Sequence, residues 1–574
     1  MRRLLLVLAC LLSFGGPAAA QEEGRSFVSL VLHDVVDAPD TLEMESVTSD
    51  RLVALFDWLA GNGYTAISLD DLERARSGEQ PLPPRAILLT VDDGYRSLYT
   101  RVFPLAMAYR MPVLAALVTS WMDGPPGGMV RYGETEVPRS RFITWEQARE
   151  MQASGWIEFA SHSDALHQSV AGNPQGNLLP AAVTRRYEAG AGYEDAAAWR
   201  ARIAADLLRS RERLQAELGR ASRAMVWPYG RPNGNAVDIA AALGFRYAFT
   251  LETAPATVSR PLDIPRFLPS ANPALGTWAE ALAFADPWPS ARRLVCVDPA
   301  RFASADPAET DARLGRAIER LRALGATHVV IDAVAHPREG RMEAWFPTRV
   351  LPVRQDLLSR LAAQMRARAG VGVALRLSHA EALAVLGDGQ RVQRLFEDLA
   401  AHVPLDALVV EDAPAFGRDS TEQGAATPAP WQLAQLRESR DVSAWPQRDA
   451  LALRLFLAVR RLRPQLELFW LAPAGTPLDL SSPLADLTLV PVAADADPLR
   501  GKRLRAPGSR RVGAWWQQGP RDAPALAAAT RRLQLAGATA FGWCPDDPLG
   551  DAPVAARVAP AWSGAGFPLQ GGAP

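Results

Sequence analysis

The chain has 574 residues, which at roughly 150 residues per domain leaves room for more than one large core. Apolar residues make up 48% and charged residues 22%, the balance of a globular chain and not of a disordered one. A formal net charge of −1, from 62 basic and 63 acidic residues, argues against a nucleic-acid partner, and three cysteines exclude a disulfide scaffold or a Cys-rich zinc module.

The N-terminus reads as a targeting segment. Arg2 and Arg3 precede an apolar run over 4–12, and Ala18-Ala19-Ala20 offers small residues for cleavage before Gln21. The run is too short for a stable membrane span, so residues 1–20 are expected to be a secretory signal peptide and the mature chain to reach the periplasm. Cys10 follows Val7-Leu8-Ala9, a poor lipobox, which makes an outer-membrane lipoprotein anchor the minor alternative.

Residues 21–285 alternate short apolar runs with helical patterns. Strands are expected at 27–32, 66–69, 86–91, 113–118, 157–160, 225–227 and 247–251, and Leu52, Leu55, Phe56 and Leu59 recur with helical spacing. Such alternation favours a parallel sheet or barrel. A Pro-rich linker at 286–292 follows, and over 293–574 the alternation restarts. Eight strands are expected there, at 294–298, 328–332, 371–377, 407–412, 466–471, 487–490, 512–516 and 539–543. Eight βα units in that length fit a (β/α)₈ barrel. Cys296 and Cys544 fall in its first and last strands, which are neighbours on closure. Parallel neighbours often have poor disulfide geometry, so two buried thiols are expected.

Three features carry chemistry. Thr90-Val91-Asp92-Asp93-Gly94 ends a buried strand, and adjacent carboxylates leaving a strand point in opposite directions, free for different tasks. Ser161-His162-Ser163-Asp164-Ala165-Leu166-His167 places two histidines five apart, a spacing that suits a strand end and a loop and not one helix face. Only His33, His162 and His167 precede the linker, and each stands at or just past an expected strand end, as Asp93 does. Imidazoles with one carboxylate suit a borderline divalent metal.

Asp-Asp-Gly after an apolar strand, His-x₄-His, and Trp227-Pro228-Tyr229-Gly230 resemble the polysaccharide deacetylase (NodB-homology) family. Asn173-Pro174-Gln175-Gly176-Asn177 and Thr184-Arg185-Arg186-Tyr187 narrow the resemblance to its exported bacterial branch, which acts on poly-β-1,6-N-acetyl-D-glucosamine of the biofilm matrix. Trp345-Phe346-Pro347-Thr348-Arg349, Leu351-Pro352-Val353-Arg354-Gln355-Asp356-Leu357, Phe396-Glu397-Asp398-Leu399 and Cys544-Pro545-Asp546-Asp547-Pro548 resemble that branch's second domain, a glycoside-hydrolase barrel. The resemblance implies an α/β chain: a distorted (β/α) barrel of the deacetylase type, then a (β/α)₈ barrel. It implies a metal held by Asp93, His162 and His167, zinc first, with nickel, cobalt or iron as alternatives. Asp92 would be the general base and His33 the acid. Tyr229, with Trp227 beside it, would face the oxyanion and substrate. A monomer handing polymer to an outer-membrane export porin is expected.

Two departures from the pattern matter. The family's usual arginine, three residues before the motif tyrosine, is Val226 here, so Asp263 or Arg266 is expected to take its place. In the barrel, Asp-Asp-Ala is replaced by Glu411-Asp412-Ala413, and the third strand carries Ala374-Leu375-Arg376-Leu377 where an aromatic is expected. Glu411, Asp412, Asp546 and Asp547, with Trp470, Trp515, Trp516 and Trp543, are the candidates for binding a glucosamine polymer through charge and ring stacking. Cleavage by the barrel and binding without cleavage both stay open. Rival readings are a deacetylase of another glycan such as peptidoglycan, and a non-catalytic glycan-export scaffold.

Overall fold

The computed structural model describes residues 24–133, 135–283, 291–338, 341–411, 447–473, 485–492, 511–516, 523–535, 538–544, 547–550, 558–559 and 562. The signal segment with Cys10, most of the linker, Asp412 and Asp546 lie outside them. No helix among the described residues is long and apolar enough to cross a membrane. The chain divides into two compact units. The first comprises Met1–Val170, Leu179–Val183 and Asp195–Asp286, and the second Ala171–Leu178, Thr184–Glu194 and Pro287–Pro574.

The first unit is built on an eight-stranded sheet. Its order is Tyr247–Phe249, Ala224–Val226, Ile157–Ser161, Val113–Leu117, Ala86–Val91, Ser26–Leu32 and Ala256–Thr257, with Thr65–Ala66 paired to Ala86–Val91. Only the edge strand Ala256–Thr257 runs antiparallel to its neighbour in this path. The sheet curls and stays open. Ala86–Val91 is buried at all six positions, as a strand covered on both faces must be, and this explains a sequence that is apolar except for Thr90. The helix Ser49–Gly61 lays Leu52, Leu55, Phe56 and Leu59 on the core, the stripe read from the sequence. One expected strand needs correction. Of 66–69, only Ala66 is strand, in the two-residue strand Thr65–Ala66, because Ser68 and Asp71 form a reciprocal capping box that opens the helix Leu69–Ser77. Because the main strands are parallel, their C-terminal ends share one edge. Residues 33, 92–93, 162 and 227–229 leave the sheet there.

In the second unit eight strands close a barrel in sequence order: Arg292–Val297, His328–Asp332, Gly372–Arg376, Ala407–Glu411, Glu467–Leu471, Leu487–Val492, Arg511–Trp516 and Ala540–Trp543. Side-chain alternation sorts the residues. Leu294, Val330, Val409, Phe469, Leu489 and Trp515 fill the interior, while Val295, Val329, Leu408, Leu468, Trp516 and Phe541 face the surrounding helices. The expectation of two separate thiols is corrected. Cys296 and Cys544 form a disulfide, with Cα atoms 4.7 Å apart. They come one residue beyond the last paired position of these two strands, Val295 with Trp543, while Cys296 stays paired to Val330 on its other side. That Cα separation lies within the usual disulfide range.

Two sequence motifs expected in the first domain group with the second unit. Asn173 donates to Ser359 Oγ at 3.2 Å, and Tyr193, just past the Thr184–Tyr187 motif, donates to Asp356 Oδ2 at 2.5 Å. Burial raises the Asp356 carboxyl to about 6. The Trp345–Arg349 and Phe396–Leu399 motifs meet where Thr348 donates to Asp398 Oδ2 at 2.8 Å. These motifs therefore brace the barrel's outer shell.

Candidate metal centre and the barrel mouth

The first unit gathers its candidate residues at the strand ends. Beyond Ala86–Val91 the chain turns sharply. Asp93 has φ 70° and Gly94 φ 74°, and a Cβ on Gly94 would meet Leu117 Cδ2 at 2.6 Å. Ser163 and Tyr229 also take positive φ, 72° and 58°. Left-handed non-glycine residues cost about 1–3 kcal/mol each, so three at one sheet edge mark a site whose side-chain directions are held by the surrounding fold.

Asp93 Oδ1 lies 3.4 Å from His162 Nε2 and 3.3 Å from His167 Nε2, and all three side chains are buried. One ligand atom from each falls within 4.8 Å of the others. Asp93 Oδ1 makes no hydrogen bond. His162 Nδ1 faces the Val226 carbonyl at 2.8 Å, an acceptor, so Nδ1 carries the proton and Nε2 presents a lone pair. Buried acceptors converging on one point fit a divalent cation. Burial pushes His167 down to about 4, which keeps it neutral as a ligand must be. Burial opposes charge on His162 too, but Asp93 and Asp92 outweigh it and raise the imidazole, so a cation taken up here would displace a proton. Asp93 stays ionised: burial works against it, and the histidines hold it well below the usual carboxylate range.

Asp92 points the other way, onto Arg266. The guanidinium meets it with two parallel bonds, Nη1 to Oδ1 at 2.7 Å and Nη2 to Oδ2 at 2.8 Å. Arg266 is fully buried, with further bonds to Thr250 O at 3.1 Å and Thr90 Oγ1 at 2.9 Å. Burial opposes the Asp92 charge, yet Arg266 outweighs it and lowers the carboxyl's pKa. Of the two residues offered by the sequence in place of the usual arginine, Arg266 reaches Asp92. Asp263 sits half-buried in the preceding turn, its N–H bonded to Arg260 O. His33 is buried, with Nε2 3.7 Å from Glu45 Oε2. The Tyr229 ring packs 4.8 Å from that of His167. Trp227 is wholly buried and forms wall, not exposed surface.

Sequence reasoning missed several supports. Asp206 accepts the backbone N–H groups of Asp164 and Ala165, each at 2.9 Å, and so holds the loop between the two histidines. Its signal was an acid within an apolar stripe, beside Ile203, Leu207 and Leu214 on the helix Ala196–Leu218. Tyr132 donates to Asp93 Oδ2 at 2.9 Å, and nothing in its local sequence announces this.

At the barrel mouth the arrangement differs. Arg376 binds Asp332 through Nε at 2.5 Å and Nη2 at 2.9 Å, and reaches Glu411 Oε1 at 3.4 Å. Asp547 pairs with Arg301 at 2.8 Å, and Asp298 caps the turn at Ala300. Trp470, Trp515, Trp516 and Trp543 are at most 3% exposed, so these rings are core and not the stacking surface expected of them.

The curled sheet with an Asp-His-His cluster at its strand ends, followed by an eight-stranded barrel, defines a polysaccharide deacetylase domain joined to a glycosyl-hydrolase-like one. Residues 79–248 match the polysaccharide deacetylase family, and residues 301–377 match hypothetical glycosyl hydrolase family 13. Among curated proteins, the chain is similar to poly-beta-1,6-N-acetyl-D-glucosamine N-deacetylase of Escherichia coli (strain K12), 36% identical over 352 residues, covering 61% of this chain and 52% of that protein. The chain thus spans about half the length of that relative. Among solved structures, the de-N-acetylase from Aggregatibacter actinomycetemcomitans is 34% identical, covering 45% of this chain and 99% of that one, with TM-score 0.43. The PgaB (BpsB) glycoside hydrolase domain from Bordetella bronchiseptica is 21% identical, covering 48% and 99%, with TM-score 0.36.

Proposed function

We propose that this protein is a metal-dependent N-deacetylase of poly-β-1,6-N-acetyl-D-glucosamine. The observation that carries this reading is the division of labour between adjacent carboxylates: Asp93 faces His162 and His167, and Asp92 is clamped by Arg266. Asp93, His162 and His167 would hold the ion, zinc by the character of two imidazoles and one carboxylate. When bound, it supplies Lewis acidity toward the acetamide carbonyl and toward an attacking water. Asp92, kept ionised by Arg266, takes the proton of that water. The Tyr229 backbone N–H is assigned to the developing oxyanion. His33 donates a proton to the leaving amine, and the products are acetate and a glucosamine unit. The name of the Escherichia coli relative, poly-beta-1,6-N-acetyl-D-glucosamine N-deacetylase, supports the choice of polymer.

The N-terminal signal pattern supports export to the periplasm, where an outer-membrane porin would be the next carrier of the polymer. For the barrel we propose binding of the partly deacetylated chain with little cleavage. Glycoside cleavage needs one carboxyl as acid and a second as base or nucleophile, whereas Arg376 engages both Asp332 and Glu411. The test is direct. Purified full-length protein is incubated, with added zinc, with β-1,6-N-acetylglucosamine oligomers and separately with peptidoglycan fragments. Acetate release from the oligomers alone supports the proposal, and release only from peptidoglycan overturns the substrate.

A further inference from the structure

We infer that Tyr132 is a positioning residue that divides the Asp93 carboxylate, engaging Oδ2 so that Oδ1 alone is offered to the ion. The inference rests on the metal reading above. Tyr132 ends the strand Met129–Tyr132 of a hairpin whose other strand is Thr135–Pro138, with Tyr132 paired to Thr135. Its hydroxyl donates to Asp93 Oδ2 at 2.9 Å, while Oδ1 makes no hydrogen bond and faces the two imidazole nitrogens. The two oxygens of one buried carboxylate thus meet different surroundings.

The phenol is held in place by its neighbours. Its ring centroid lies 5.1 Å from Trp121, 5.4 Å from His167 and 6.1 Å from Tyr95. A carboxylate can bind a divalent ion through one oxygen or through both. Binding through both would take up a coordination position that an open, catalytic site keeps for water or substrate. A hydrogen bond to Oδ2 penalises that second contact, since forming it would strip a half-buried phenol of its acceptor. Tyr132 therefore acts on access to the ion through Asp93, as residues behind a metal ligand commonly do.

The experiment uses the full chain stripped of metal and titrated with cobalt(II), read by visible absorption, for wild type and Tyr132→Phe. The phenylalanine keeps the ring packing and removes only the hydroxyl. The variant is expected to bind cobalt with a weaker visible band, from added coordination, and to lose about 10- to 100-fold in metal affinity or in kcat, with KM little changed. The same band and the same cobalt affinity in both proteins would overturn the role of Tyr132 and leave the metal reading standing. A wild type that takes up no metal would overturn both. Should the variant fold poorly, infrared difference spectra of the wild-type carboxylate on metal addition decide the matter. One-oxygen binding at Asp93 upholds the inference and two-oxygen binding overturns it.

Discussion

In the first unit Arg266 engages one acid, Asp92, through both oxygens at 2.7 and 2.8 Å, and the neighbouring Asp93 is left to His162 and His167. In the second unit Arg376 reaches two acids, Asp332 and Glu411, from about one-third exposure. The first pairing is fully buried, where an unmatched charge is severely penalised, so it holds Asp92 ionised in a fixed direction. The second lies partly in water, where screening weakens it, and it spreads one positive charge over two carboxylates. Both units carry acids at the ends of parallel strands, and in the first Asp93 Oδ1 faces two imidazole nitrogens. What an acid at a strand end can do is thus decided by where the nearest arginine sends its fork.

The largest expected effects test the open carboxylate. Asp93→Asn, His162→Ala or His167→Ala should reduce acetate release to background and remove bound metal, measured by elemental analysis, with circular dichroism unchanged. Chelation of the wild type should do the same and zinc should reverse it; full activity without metal would erase the contrast between the units. Next in size, Asp92→Asn and His33→Ala should keep metal and lose about 10²- to 10⁴-fold in turnover. For His33→Ala an activated ester should suffer much less than an acetamide, because its leaving group needs little protonation, and equal losses would refute the acid role.

Arg266→Met comes third. Breaking a fully buried pair should lower unfolding stability by about 3–5 kcal/mol, read by denaturant melts. The sign with pH follows from the depressed Asp92 pKa. Stability from this pair is present above the ordinary carboxylate range and is lost as pH falls through the depressed value. Removing Arg266 raises that pKa, so the acidic limb of kcat/KM should move to higher pH, and an unmoved limb would show that Arg266 does not tune the base. The smallest effects belong to the barrel. Arg376→Leu should tighten salt-dependent binding of partly deacetylated polymer by a few-fold, the scale of a half-exposed interaction of about 0.2–1 kcal/mol, with polymer length unchanged. Rapid shortening of the polymer by the wild type would reclassify the barrel as a hydrolase.

The sequence alone determined the architecture and the residues of the candidate Asp-His-His cluster. Apolar runs, several of them ending in acids, marked all eight barrel strands in their order, because a strand buried on both faces leaves a local record. Asp92, Asp93, His162 and His167 were legible for the same reason, each lying at or just beyond the end of such a run. Only the tertiary structure decided which charge meets which. Arg266 lies 174 residues from Asp92 and was no better than Asp263 by pattern. Tyr132 reaches Asp93 across 39 residues, and the Cys296–Cys544 bond spans 248. The four barrel tryptophans, which composition offered as glycan platforms, are core because their strands turn them inward or beneath helices. Periodicity records burial along one element, whereas the partner of a charge is set by which distant elements the folded chain brings to the same edge.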